Sequence, residues 1–123
     1  MPDTQVAIVY HSGYGHTARQ AQAVKAGVDA VEGSSALLLT VEEVPTRWDD
    51  LNRADAIIFG APTYTGSVSA QFKTFAEATS SEIMAKGYLW QDKLGAGAAN
   101  SGSRSGDKVG TLTQLALLAA QHG

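Results

Sequence analysis

A chain of 123 residues, 44% hydrophobic and 17% charged, holds enough apolar material for one compact domain and too little length for two, which argues against disorder. Its net charge of −3 offers no basic face for nucleic acid. The absence of cysteine excludes disulfides, thiol catalysis and Cys-ligated iron–sulfur or zinc sites. The start, Met1-Pro2-Asp3-Thr4-Gln5, has no basic leader region. The longest apolar run, Leu115–Ala120, is far short of a bilayer span, so the expectation is a soluble, cytoplasmic, single-domain protein without membrane insertion.

Apolar runs and helical stripes alternate along the chain. Val6–Tyr10 is a continuous run ending at Ser12-Gly13, which predicts a strand buried on both faces. Ala18, Ala21, Val24, Val28 and Val31 recur at three- and four-residue spacing, predicting an amphipathic helix over 17–31 that stops near Gly33. Leu37–Val41 reads as a second strand, and Trp48–Asn52 as a short helical connection. Ala56–Ala61 is the clearest strand, expected to end at Pro62, which has no N–H for a ladder. A second amphipathic helix covers 69–79, with Phe72, Phe75, Ala76 and Thr79 on one face. Leu94–Ala99 is a fourth strand by position although Gly95 and Gly97 favour it poorly. Thr111–Ala120 is a last helix. Such alternation implies an α/β fold with a parallel sheet.

In a parallel sheet the loops after the strands share one edge, and ligands bind there where strand order reverses. The three such loops are Ser12-Gly13-Tyr14-Gly15-His16-Thr17, Thr63-Tyr64-Thr65-Gly66-Ser67 and Asn100-Ser101-Gly102-Ser103-Arg104-Ser105. Each mixes glycine with hydroxyl side chains, and none holds any of the 12 acids, a composition suited to an anionic ligand. The first leads directly into a helix, whose leading amides hold phosphate well. An ordinary turn with a Ser or Thr cap is the alternative. Gly13-x-Gly15-x-x-Ala18 also fits the dinucleotide fingerprint, with Glu42 or Glu43 near the distance of a ribose-binding acid. That reading leaves the hydroxyls unexplained and needs more strands than the chain supplies. A P-loop is excluded because no Gly-Lys-Ser/Thr follows the first strand, and a phosphoacceptor receiver because the strand ends carry no acidic cluster.

Tyr10–Thr17, Ile57–Tyr64 and Asn100–Ser103, three motifs in order, resemble the flavodoxin-like NAD(P)H:quinone oxidoreductases of the WrbA type. The resemblance runs along nearly the whole chain. It implies a flavodoxin-like three-layer sandwich with FMN as cofactor, NAD(P)H as co-substrate, a quinone-like acceptor, and a homo-oligomer, dimer or tetramer. By position it implies that Ser12, Gly13, Tyr14, Gly15, His16 and Thr17 wrap the FMN phosphate, with Tyr14 where relatives touch nicotinamide. Pro62, Thr63, Tyr64 and Thr65, with Gly66 in the same loop, would line the isoalloxazine. Asn100, Ser101, Gly102, Ser103, Arg104 and Ser105 would hold its other edge, and His122 stands where relatives have a flavin-contacting histidine. A substrate-flanking Trp of relatives aligns near Ile83, which removes that contact, and Trp90 is not equivalent to it. Relatives continue into a fifth strand and a last helix. The expectation for residues 1–123 is therefore an FMN-binding domain incomplete at its C-terminus, with sheet order 2-1-3-4, the fifth strand missing, an open edge and one face half uncovered.

Other residues have plainer readings. Phe72 and Phe75 belong to the core. His11 has no second ligand at metal spacing and reads as a structural or rim residue. His16 contributes its backbone N–H, Arg104 is either an anion partner or a surface arginine, and Tyr64 either stacks on a ligand or caps its loop. Trp48 with Asp49 and Asp50 reads as a surface turn with a buried indole. No side chain stands out as a catalytic group, because a bound cofactor would carry the chemistry.

Overall fold

The computed structural model describes residues 3–123. Strands β1 (Thr4–Tyr10), β2 (Ser34–Thr40), β3 (Ala56–Tyr64) and β5 (Leu94–Asn100) form a parallel sheet in the order β2-β1-β3-β5. A two-residue strand, β4 (Ser67–Val68), turns back antiparallel on the end of β3. The helices are α1 (His16–Asp29), α2 (Trp48–Arg53), α3 (Ala70–Thr79) and α4 (Lys108–His122), with a 3-10 turn at Val44–Thr46 and a π turn at Ser80–Met84. The four long strands and their order are those expected from the sequence; β4 is an addition to them.

The burial of β1 explains why its sequence shows no alternation. Ala7, Ile8 and Val9 are all sealed, because helices lie on both faces. Ile8, Ile58 and Gly60 face α1, beside Thr17, Ala21 and Val24. On the opposite face Ala7, Val9, Ile57 and Phe59 meet Leu51 of α2, Phe72 and Phe75 of α3, and Leu115 and Leu118 of α4. Phe59, Phe72, Phe75, Trp48 and Trp90 form one aromatic cluster, with Trp48 stacked on Phe75 at 6.0 Å between centroids. Burial of this kind stabilises each large side chain by about 1.5–3 kcal/mol.

The glycines of β5 have a packing reason. A Cβ at Gly97 would stand 3.0 Å from Leu115 Cδ1, and one at Gly95 would stand 3.2 Å from Ala119 Cβ. Small residues let α4 lie close on the sheet, at the cost of strand propensity. Among the described residues β5 pairs with β3 alone, and Leu94 on it is 75% exposed, so the open edge expected from the sequence is present.

Two expected boundaries are corrected. Helix α1 ends at Asp29, so Val31 falls outside it and is exposed. Strand β3 does not stop at Pro62 but runs on to Tyr64. Its pairing with β1 ends at Tyr10 opposite Gly60, while pairing with β5 continues to Pro62 opposite Asn100. Beyond Gly60 the strand therefore has a free side, and a proline there interrupts no ladder.

Candidate functional site

The C-terminal edge of the sheet gathers three segments: residues 12–17 after β1, the β3–β4 hairpin at 63–67, and residues 100–105 after β5. The junction of β1 and β3, where the chain switches direction across the sheet, lies between them.

The first segment is a tight turn. Gly15 has φ 96, and its N–H donates to Ser12 Oγ at 3.0 Å. Arg19 N–H makes the first helical bond, to the Gly15 carbonyl, so the amides of His16, Thr17 and Ala18 are the leading donors of a 14-residue helix. They carry the positive end of its dipole. A Cβ on Gly15 would meet no atom within 4 Å, so this end of the helix opens onto free space.

The second segment is a hairpin rather than the open loop expected from the sequence. Thr63 pairs with Val68 and Tyr64 with Ser67, leaving Thr65 and Gly66 as a two-residue turn with φ 52 and 79. Tyr64 bends over the first segment: its hydroxyl lies 2.2 Å from where a Cβ on Gly13 would stand. Its ring meets those of Tyr14 and His11 edge-on, at 6.0 and 6.5 Å between centroids. Tyr14 is 83% exposed at the tip.

The third segment is organised by Lys108, whose ammonium donates to Ser101 Oγ and to the Arg104 carbonyl, each at 2.8 Å. Ser101 Oγ in turn donates to the Ser103 carbonyl at 2.7 Å. The three segments are tied to one another. Asn100 Nδ2 donates to Thr17 Oγ1 at 2.8 Å and to Gln20 Oε1 at 3.2 Å. Thr111 Oγ1, at the start of α4, donates to Thr63 Oγ1 at 2.9 Å, and Gly110 passes so close to the hairpin that a Cβ would meet the Gly66 carbonyl at 2.3 Å.

Ser12 to Thr17, Thr63 to Gly66 and Asn100 to Ser103 are thus brought together. Pro62 is buried, and Arg104 and Ser105, like Gly102 and Ser103, are exposed. His122 is not with them. It ends α4 beside Leu94 and Gly95, where β5 begins, at the opposite edge of the sheet. There it is 3% exposed, packs on Trp90 at 4.8 Å between ring centroids, and has Nε2 3.0 Å from Thr79 Oγ1. Within this chain it is a core residue, and burial lowers its pKa. Ile83 is likewise sealed in the core.

Glu43 is engaged locally: its Oε1 accepts from Thr40 N–H and Oγ1, which lowers its pKa. Burial, helped by Glu43 and Glu42, raises the pKa of Tyr10 at the end of β1. Sequence reasoning missed Gln20, Lys108 and Thr111, which bond to the predicted residues rather than standing among them. A groove of about 520 Å³ lies between α3 and α4, away from the three segments. Among the described residues no metal-binding group of His, Asp and Glu occurs, and no helix is long and apolar enough to cross a membrane.

A parallel sheet in this order, with a phosphate-type turn after β1 and glycine- and hydroxyl-rich segments beside it, is the flavodoxin-like class of α/β protein. Solved structures agree: a flavodoxin, WrbA-like protein from Agrobacterium tumefaciens superposes with a TM-score of 0.86 at 46% identity, covering 98% of this chain and 74% of that one. The chain belongs to the NADPH-dependent FMN reductase family, whose match spans residues 40–123. Among curated relatives, Flavodoxin FldP of Pseudomonas aeruginosa (strain UCBPP-PA14) is 46% identical over 124 residues, and an NAD(P)H dehydrogenase (quinone) of Trichlorobacter lovleyi is 32% identical over 142. Each alignment covers 98% of this chain, but only 63% of the first relative and 69% of the second.

Proposed function

We propose that this chain binds FMN along the edge formed by residues 12–17, 63–66 and 100–103 and serves to pass two electrons from NAD(P)H to a quinone or similar acceptor. The observation that carries the reading is the turn at 12–17: unpaired leading amides of α1, no carboxylate in the turn, and open space beside Gly15. Those features fit a phosphate monoester. The amides of His16, Thr17 and Ala18 hold its oxygens, and Ser12, whose Oγ already accepts from Gly15, is free to donate its O–H. Tyr64 and Tyr14 offer flat apolar surface beside the turn, while the segment held by Lys108 closes the far side. When bound, the flavin supplies the hydride-accepting and electron-donating chemistry. The names of the quinone-dehydrogenase relatives support the enzymatic direction. Val109, Leu112 and Leu117 expose apolar surface on α4, which supports assembly into a dimer or tetramer.

The name of the relative FldP favours a second reading, an electron carrier that docks on a redox partner. Purified protein loaded with FMN and titrated anaerobically separates the two. Bleaching of the visible bands by NADPH alone supports the enzyme. Bands that NADPH leaves unchanged and dithionite bleaches support the carrier. A colourless protein that takes up no FMN refutes both.

A further inference from the structure

His11 is a buried histidine that the proposed chemistry leaves unused. It follows β1 directly and precedes Ser12, the first residue of the phosphate turn. Its N–H donates to the Gly60 carbonyl at 3.1 Å, and its side chain is sealed, the residue being 6% exposed. Nδ1 lies 2.8 Å from Ser69 Oγ. Ser69 is fully buried, follows β4, and caps α3 by accepting Phe72 N–H at 3.3 Å. Ser69 Oγ already accepts from Phe72 N–H, so the assignment that also gives its own proton a partner has Nδ1 accepting it, with the imidazole proton on Nε2. Nε2 in turn faces the exposed Glu42 carboxylate, 3.9 Å away. The edge of the ring meets Tyr64, which overhangs Gly13.

One imidazole, carried by the residue that leads into the phosphate turn, therefore touches the residue that leaves the hairpin and the tyrosine between them. We infer that His11 is a positioning residue: by accepting the Ser69 hydroxyl it fixes the separation of the phosphate turn from the Thr63–Ser67 hairpin, and so the width of the FMN mouth. The inference rests on the FMN reading for its consequence and on geometry alone for its tautomer. An apolar side chain at position 11 leaves the buried Ser69 hydroxyl without an acceptor and lets hairpin and turn drift apart. An asparagine there keeps an acceptor for Ser69.

The first arm of the test needs no flavin. Two-bond ¹H–¹⁵N spectra of the full chain, with signals assigned by comparison with His11→Asn, show His11 protonated on Nε2; protonation on Nδ1 overturns the inference. In the second arm, FMN fluorescence quenching gives the affinity of each variant. His11→Leu and Ser69→Ala each weaken FMN by about tenfold, the double variant is no worse than either, and His11→Asn stays within about threefold of the unaltered chain. If His11→Leu does not fold, Ser69→Ala carries the same comparison. A purely structural role would lower Tm in all three single variants without sparing the FMN affinity of His11→Asn. Equal affinities in all variants overturn the inference and leave the FMN site standing. No quenching by the unaltered chain overturns the FMN reading itself, and the assigned consequence of His11 with it.

Discussion

Replacing Gly110 by alanine sets two effects against each other at the junction of α4 and the hairpin. A Cβ at this position would stand 2.3 Å from the Gly66 carbonyl oxygen. That oxygen belongs to the main chain of a tight turn, so it cannot swing aside as the tip of a side chain can. An ordinary carbon–oxygen contact is about 3.3 Å, so helix and hairpin must part by about 1 Å. The Thr111 to Thr63 hydrogen bond spans the same junction and is lost in the movement. Overpacking of this kind costs about 1–3 kcal/mol, and the lost bond about 1 kcal/mol more. Against that, alanine gains at most about 1 kcal/mol of helix propensity. The net expectation is a loss of about 1–3 kcal/mol. Gly27→Ala is the matched control, since Gly27 lies inside α1 with no atom within 4 Å of a new Cβ. It should stabilise the chain by about 0.5–1 kcal/mol. Urea unfolding of the three proteins, compared at a common m-value, reads both effects. A Gly110→Ala chain as stable as Gly27→Ala would refute the close approach of α4 to the hairpin.

Thr65 holds φ 52 in the hairpin turn, a conformation that penalises a β-branched residue and suits asparagine. Thr65→Asn should therefore raise stability by about 0.5–1 kcal/mol in the same urea assay, and an unchanged or lower midpoint counts against the turn geometry. Thr111→Val removes the bond to Thr63 at a fully buried position and should cost about 1 kcal/mol while weakening FMN binding; a neutral effect on both would detach that bond from the site. His122 gives a pH dependence with a definite sign. Burial depresses its folded pKa below 6.5, so the proton binds more readily to the unfolded chain. The stability it contributes is complete above pH 6.5 and is lost as pH falls through the folded value. His122→Gln should lose less stability than the unaltered chain between about pH 8 and about pH 5.5. Equal losses contradict the burial. Asp29, Glu43 and Asp50, whose pKa values are lowered by their hydrogen-bond partners, act in a more acid range and leave this window clear.

The middle of the sheet was legible in the sequence because its central strands, β1 and β3, are buried on both faces. Ala7, Ile8 and Val9 had to be apolar without alternation, and helices of period 3.6 had to intervene. β5 was legible only by position, since its glycines answer to Leu115 and Ala119 on a helix distant in sequence. The end of β3 was misread for a related reason. Proline stops a strand that is paired on both sides, and nothing local discloses that β1 ends opposite Gly60. The site segments were visible as glycine and hydroxyl clusters, but the groups that shape them were not. Lys108 and Gln20 reach their partners through the folded chain, and neither stands in a motif. His122 was placed by the flavin only through the resemblance; within this chain α4 carries it to the opposite edge of the sheet, beside Trp90, which no local pattern discloses.

The amides at the start of α1 should respond to the phosphate of the ligand, not to its ring system. Binding of FMN and of riboflavin, which lacks the phosphate, can be compared by fluorescence quenching under the same conditions. FMN should bind about a hundredfold more tightly or better, because riboflavin leaves those donors unmatched. Equal affinities for the two, or none for either, would contradict the assignment of the turn at 12–17 as a phosphate site.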